Sequence, residues 1–214
     1  MNIADQIVDK IKRNRISTTE TADCLDKTGA ITGVKPYCQG HFAVGKVFWA
    51  YAYNESNWEV HEQVREAGEG DIVIVEAFDC GERAIFGELV AKYLLLYRQV
   101  AGIVVKGLLR DIPRLLRENW SIWGEGGTPI GCFNRKNETP FDPDIIRQRR
   151  AYYDGAIAVC DDSGVVVIPK DKINTKFLER LDWIEEQEDI WFDCIDRRKW
   201  DTYDTVCLQL YKDK

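Results

Sequence analysis

Gly87, Arg110 and Asp111 are residue types that could do chemistry together. Arginine presents a planar fork of N–H donors that matches a carboxylate. Aspartate presents hard oxygen donors of the kind that hold Mg²⁺ or Mn²⁺. A glycine near a helix start leaves backbone N–H groups without intrahelical partners, open to an anion. Helix start, Arg110 and a metal-holding Asp111 would together grip a 2-oxo acid. The alternative is that Arg110 and Asp111 only cap the short helix at Pro113 or pair with each other.

These residues need elements to position them, and the stretch from Gly81 to Asp111 reads as loop, helix, strand and charged loop. Ile85, Leu89, Tyr93, Leu96 and Val100 recur at three- and four-residue steps, which predicts one buried helix face. Gly102 is expected to end that helix, and Ile103–Val105 to form a short buried strand. The strand runs into Gly107–Asp111, and ligands of open α/β sheets gather outside the carboxyl ends of strands.

The chain has 214 residues, room for one domain, or one domain plus an extension. Hydrophobic residues make up 45%, enough for a core, and the net charge of −7 argues against a direct nucleic-acid binder, which would need a basic face. No apolar run is long enough for a membrane-spanning helix, and the amphipathic N-terminus lacks a signal-peptide core, so a cytoplasmic protein without membrane contact is expected. The 7 cysteines are scattered with no CxxC spacing and read as reduced, mostly structural thiols. His41 and His61 sit in no HExxH arrangement, which argues against histidine-based metal or triad chemistry.

Elsewhere, Ile3, Ile7, Val8 and Ile11 predict a first helix. Ser17 to Glu20 is a capping box opening a second. Residues 42–53 and 71–77 read as strands, 59–67 and 112–118 as short helices. Residues 120–123 are expected as a strand, and 124–129 as a polar loop that is no phosphate loop, since GxxxxGK[ST] is absent. Strands 156–160 and 165–168 are expected to pair around Asp161–Gly164, whose aspartates read as turn formers. From Asp171 the chain turns acidic and helical, with Phe177, Leu181, Ile184, Trp191 and Ile195 on one face. Trp183, Trp191, Trp200 and Tyr203 suggest packing or subunit contact.

Three stretches resemble the RraA-like family: ISTTETADCLDKTGAITGVKPYCQG, EGDIVIVEAFDCGERAIFGELVAKYLLLYRQVAGIVVKGLLRD and DDSGVVVIP. That family holds metal-dependent 4-hydroxy-4-methyl-2-oxoglutarate aldolases and the regulator of ribonuclease E activity A. The resemblance implies an α/β fold of the swivelling β/β/α kind over residues 1–170, followed by a helical extension over 171–214, and assembly as a trimer or hexamer with sites near subunit interfaces. It implies that amides near Gly87, Leu89 and Val90 hold the substrate carboxylate with Arg110, that Asp111 binds Mg²⁺ or Mn²⁺, and that Glu88 stands for the family's further carboxylate. The activity implied is cleavage of a 2-oxo acid to pyruvate, by retro-aldol reaction or oxaloacetate decarboxylation, through a metal-stabilised enolate.

Two departures stand out. The family's aldolases place an Asp with twenty residues between it and the Arg-Asp pair, whereas 21 separate Glu88 from Arg110. Where some family enzymes carry an acid three positions after the Asp of the pair, this chain has Arg114. With the Trp-rich acidic tail, these favour the family's other reading, a non-catalytic regulator that binds a protein partner such as a ribonuclease.

Overall fold

The computed structural model describes residues 2–213. An 8-stranded mixed sheet carries the fold, in the order β1 (Lys35–Pro36), β6 (Ile122–Gly127), β5 (Gly102–Leu109), β3 (Ile72–Phe78), β2 (Ala43–Tyr53), β7 (Ile157–Asp161), β8 (Gly164–Ile168). The eighth strand, β4 (Ala84–Phe86), lies off this path, alongside β5. Strands β2, β3, β5 and β6 are parallel neighbours, while β7 and β8 form an antiparallel hairpin on β2. The long β2 joins the two parts: Ala43–Lys46 pair with β7 and Val47–Tyr53 with β3.

Alternating side chains stack these parts in layers, as the period of a strand requires. Val73, Val75, Ile103 and Val105 face a core shared with α3 (Trp58–Gln63), α4 (Glu88–Lys92) and α5 (Ile112–Glu118). Ile72, Ile74 and Val104 face the other way and meet Ala158, Cys160, Val165 and Val167 of the hairpin. The hairpin's outer residues, Ile157, Val159, Val166 and Ile168, are covered by α1 (Ile3–Asn14), α2 (Thr18–Cys24) and α7 (Thr175–Phe192). The result is an α/β/β/α arrangement in which the near-continuous apolar strands are those covered on both faces. Phe177, Leu181 and Ile184 of α7 lie in one cluster with Ile7 and Ile11, so the C-terminal helix completes a core begun by the N-terminal one.

The expected capping box is present: Ser17 accepts from the Glu20 amide, and Glu20 accepts from the Ser17 amide. Asp161 ties this helix to the hairpin, accepting from Thr18 N at 2.8 Å and Thr18 Oγ1 at 2.7 Å. Asp161 also accepts from the Ser163 amide, so it forms the turn as expected.

Three local expectations fail. Ile85 lies in β4, not on a helix, and Leu89 and Leu96 are exposed. The helix buries Val90, Ala91 and Leu94 instead. Its second half, Tyr93–Tyr97, is a π-turn, whose wider ring breaks the 3.6-residue register on which the expected face rests. The helix ends before Gln99, which takes a left-handed φ of 55°, and not at Gly102. Gly102 opens β5, where a Cβ would meet Trp123 at 3.1 Å. Strand β5 is therefore eight residues long and carries Gly107–Leu109, which were expected in a loop. Finally, Gly124–Gly127 belong to β6, and Trp120 precedes it. Glycines are poor strand formers, but the β5 ladder supplies partners. Tyr37 fills the space beside Gly124, where a Cβ would lie 2.8 Å from its ring.

Candidate functional site

The site begins where two parallel strands end together. The Arg110 amide donates to the Phe86 carbonyl at 3.0 Å, so the ends of β5 and β4 lie side by side. The next residue after Phe86 is Gly87, the N-cap of α4. The next after Arg110 is Asp111, the N-cap of α5. Two helix starts thus diverge from one strand edge, with Gly87 and the Arg110–Asp111 pair between them.

Asp111 has a φ of 61°, in the left-handed region that aspartate tolerates better than most residues. Its carbonyl serves α5, accepting from Arg114 N at 2.8 Å and Leu115 N at 3.1 Å. Its side chain does not cap that helix. It turns instead to α4, where Oδ2 accepts from the Glu88 amide at 3.2 Å. A Cβ on Gly87 would lie 2.2 Å from that oxygen and 2.8 Å from Arg110 Cγ. Glycine at 87 is what lets the pair approach the helix start.

Arg110 Nε stands 3.8 Å from Asp111 Oδ2, so the two residues also pair weakly. The guanidinium reaches over Gly131, where a Cβ would lie 2.6 Å from Nη1. Gly131 bridges to Ala84, and its carbonyl accepts from Arg83 Nη1 at 3.2 Å. Arg83 is held in turn by Glu55 at 3.1 Å and by the Phe133 ring. Gly131 and Arg83 escaped the sequence reading. The signal available was a lone glycine after Pro129 and an arginine inside the loop before β4.

Glu88 points away from this pair and meets Arg114 at 2.6 Å, an ion pair in which the carboxylate is largely covered and the arginine exposed. Hydrogen bonding to Glu88 holds the Arg114 guanidinium above its usual pKa. The amides of Leu89 and Val90 have no acceptor among the described hydrogen bonds, while Leu89 is 79% exposed. Arg110, Asp111 and these amides form an open shelf rather than a cavity. A cavity of about 500 Å³ lies elsewhere, between α2, residues 30–35 and β8.

For a metal, the shelf offers one carboxylate. Asp111 Oδ2 is engaged by the Glu88 amide, and no described hydrogen bond uses Oδ1. Among the described residues no group of three His, Cys, Asp or Glu side chains gathers to hold an ion. This donor set fits a hard divalent ion such as Mg²⁺, which takes one or two carboxylates and fills its remaining positions with substrate and water. It does not fit zinc, which wants a nearly complete protein cage.

An α/β/β/α scaffold with a glycine-started helix against an Arg-Asp pair is the class of protein defined so far. The chain belongs to the RraA-like family: the family model described as Aldolase/RraA matches residues 5–167. It is 31% identical, over 72% of this chain and 73% of the relative, to a Halalkalibacterium halodurans protein named "Putative 4-hydroxy-4-methyl-2-oxoglutarate aldolase". An uncharacterized Pseudomonas syringae protein shares the fold over 96% of this chain and 94% of its own, at 20% identity and a TM-score of 0.74. Streptomyces coelicolor RraAS2, titled an unusual member of the RNase ES inhibitor RraA protein family, shares it over 86% of this chain and 93% of its own, at 23% identity and a TM-score of 0.66. No helix of the described residues is long and apolar enough to cross a membrane.

Proposed function

We propose that the chain is a divalent-metal-dependent lyase that cleaves a 2-oxo acid to pyruvate. The substrate would be of the 4-hydroxy-4-methyl-2-oxoglutarate type, oxaloacetate, or both. The observation that carries this is the junction of β4 and β5, which sets Arg110 and Asp111 against the start of α4. Arg110 binds the substrate carboxylate through its fork, and the amides of Gly87, Leu89 and Val90 receive the same group. Asp111, whose Oδ1 has no partner among the described hydrogen bonds, would hold Mg²⁺ or Mn²⁺. The metal, when bound, supplies Lewis acidity at the 2-oxo oxygen, where negative charge grows as the carbon–carbon bond breaks. Arg110 would add its guanidinium charge to the stabilisation of that developing negative charge. Glu88, carried over from the resemblance as a catalytic group, can move a proton at Oε2 only after its pairing with Arg114 loosens.

The shelf is open to water, and electrostatic help of this kind is stronger in a dry site. A second copy of the chain seated on the exposed Leu89, Leu96 and Tyr97 would exclude water, in keeping with a homotrimer or homohexamer. We assign the exposed face of residues 171–214, whose inner face packs on the 1–170 domain, to the same assembly as a subunit contact, because Trp183, Phe192 and Tyr203 are exposed there. A cytoplasmic location suits the free cysteines.

The test is pyruvate release from both substrates with Mg²⁺, with chelator, and in Asp111→Ala, each against a blank without enzyme. Metal-dependent turnover lost in the variant is the expected result. Turnover at the blank for both substrates would overturn the reading for them. A second reading is a non-catalytic regulator that binds a protein partner such as a ribonuclease. The Glu88–Arg114 pair favours it, because it neutralises the further carboxylate. Calorimetric titration with Mn²⁺ separates the two: a lyase binds the ion through Asp111, and an idle scaffold has no need to.

A further inference from the structure

We infer that Cys80 and Cys132 form a reversible dithiol–disulfide pair beside the Arg110 shelf. They lie 52 positions apart in the chain, yet backbone hydrogen bonds close around them on both sides. On one side the Glu55 amide donates to the Asp79 carbonyl at 3.1 Å, and the Phe133 amide donates to the Glu55 carbonyl at 2.8 Å. On the other, the Cys132 amide donates to the Ala84 carbonyl at 2.9 Å, and the Arg83 amide donates to the Cys80 carbonyl at 3.1 Å. Cys132 therefore makes one cross-link itself, and Cys80 lies one residue from the link at Asp79 and opens the turn that leads to Ala84.

Inside that frame the thiols meet. The Cys80 and Cys132 side chains lie close enough to interact, and Cys80 donates to the Phe78 carbonyl at 3.4 Å. The Cys132 side chain draws Cys80 below the usual thiol value, against the opposing effect of burial. The Cys80 side chain, with burial, holds Cys132 well above it. Arg83 favours negative charge there, and the carboxylates of Asp79 and Glu55 oppose it. Cys80 is buried and Cys132 half-buried, so an oxidant reaches the pair from one side. Together these are the conditions under which a thiol pair oxidises selectively.

The oxidant is a hydroperoxide. One sulfur attacks a peroxide oxygen, the O–O bond breaks, and a sulfenic acid forms as water (or the alcohol) leaves. The second sulfur attacks the first, the S–S bond forms, the S–O bond breaks, and its oxygen leaves as water with the two remaining protons. The sulfurs together lose two electrons and the peroxide gains them. A small dithiol reverses the step by exchange.

The bridge adjoins the candidate site. Cys132 follows Gly131, on whose α-carbon the Arg110 guanidinium rests and whose carbonyl Arg83 holds. Any effect on turnover rests on the lyase reading; the disulfide does not.

The test treats the full chain with one equivalent of hydrogen peroxide, alkylates remaining thiols, and digests with trypsin without reduction. Peptides 66–83 and 118–135 hold one cysteine each, Cys80 and Cys132. The expected product is these two joined, lighter by two hydrogens than their sum, and separated again by dithiothreitol. Cys132→Ser and Cys80→Ser should each abolish it. The wild-type experiment stands even if a variant fails to fold. Recovery of the two peptides unlinked, or linked chiefly to other cysteines, in a chain that keeps its circular dichroism would overturn the inference. Pyruvate release is then compared in the reduced and oxidised protein, with at least a tenfold drop on oxidation expected. A reduced protein without activity would sink the lyase reading and leave the disulfide standing.

Discussion

Gly87→Ala puts the smallest possible side chain into the gap on which the site depends. The new Cβ would meet Asp111 Oδ2 at 2.2 Å and Arg110 Cγ at 2.8 Å, where ordinary contact begins near 3.4 Å. The carboxylate must retreat by roughly 1 Å, a displacement that costs on the order of 100-fold in rate when it falls on a positioned group. Stability should suffer much less. The Asp111 side chain is 39% exposed and can swing into water, giving up its 3.2 Å bond to the Glu88 amide. That exchange costs about 1 kcal/mol at most, or roughly 2–4 °C in melting temperature for a chain of this size. The φ of Gly87 is −145°, so left-handed backbone strain does not enter. The assay pairs kcat/KM for Mg²⁺-dependent pyruvate release with a thermal melt. Activity within threefold of wild type and an unchanged melt would refute the reasoning, because the clash would then be relieved without moving Asp111. A melt lowered by 10 °C or more would refute the claim that the strain escapes to solvent.

Other perturbations test neighbouring claims. Gly131→Ala brings a Cβ to 2.6 Å from Arg110 Nη1, the far end of a flexible side chain, so KM should rise about tenfold with kcat and the melt nearly unchanged. An unchanged KM would take Arg110 out of substrate binding. Glu76→Ala removes a buried carboxylate that accepts from Trp49 Nε1 at 3.0 Å and Tyr153 OH at 3.2 Å and meets Arg149 Nε at 3.2 Å. Urea unfolding should show a loss of about 3 kcal/mol, and a loss below about 1 kcal/mol would mean the network is slack. Burial holds the Asp71 carboxyl above its usual value, only partly offset by the Gly68 amide and Lys46. A folded pKa above the unfolded one means that the charged form costs stability at neutral pH, and that the cost vanishes as pH falls through both values. Asp71→Asn should therefore be more stable than wild type in urea at about pH 7 and equal to it near about pH 3. A variant less stable at neutral pH would reverse the sign.

Much of this fold is written locally. The Ser17–Glu20 capping box, the Asp161–Gly164 turn and the apolar runs of β3 and β5 form because each stabilises its own few residues. The errors lie where local preference was overridden. Leu89, Leu96 and Ile85 fit a helical period on paper, but a π-turn and a short strand broke the register. Gly124–Gly127 look like a loop until β5 supplies a ladder. In the two strands a distant partner overrode a local preference, and in the helix a local widening did.

The site divides in the same way. Residue type alone made Arg110, Asp111 and Gly87 candidates, because guanidinium, carboxylate and a helix start have chemistries that do not depend on context. Whether they meet depended on the bond from the Arg110 amide to Phe86, a contact between strand ends 24 residues apart. The pairing of Glu88 with Arg114, the glycine under Arg110 at 131 and the meeting of Cys80 with Cys132 likewise arise from packing. The sequence by itself determined which groups are present and which short elements they open or close. Only the tertiary structure decided which of them touch, since a contact across the chain is set by how layers stack, and side chains distant in sequence carry no mark of their future neighbours.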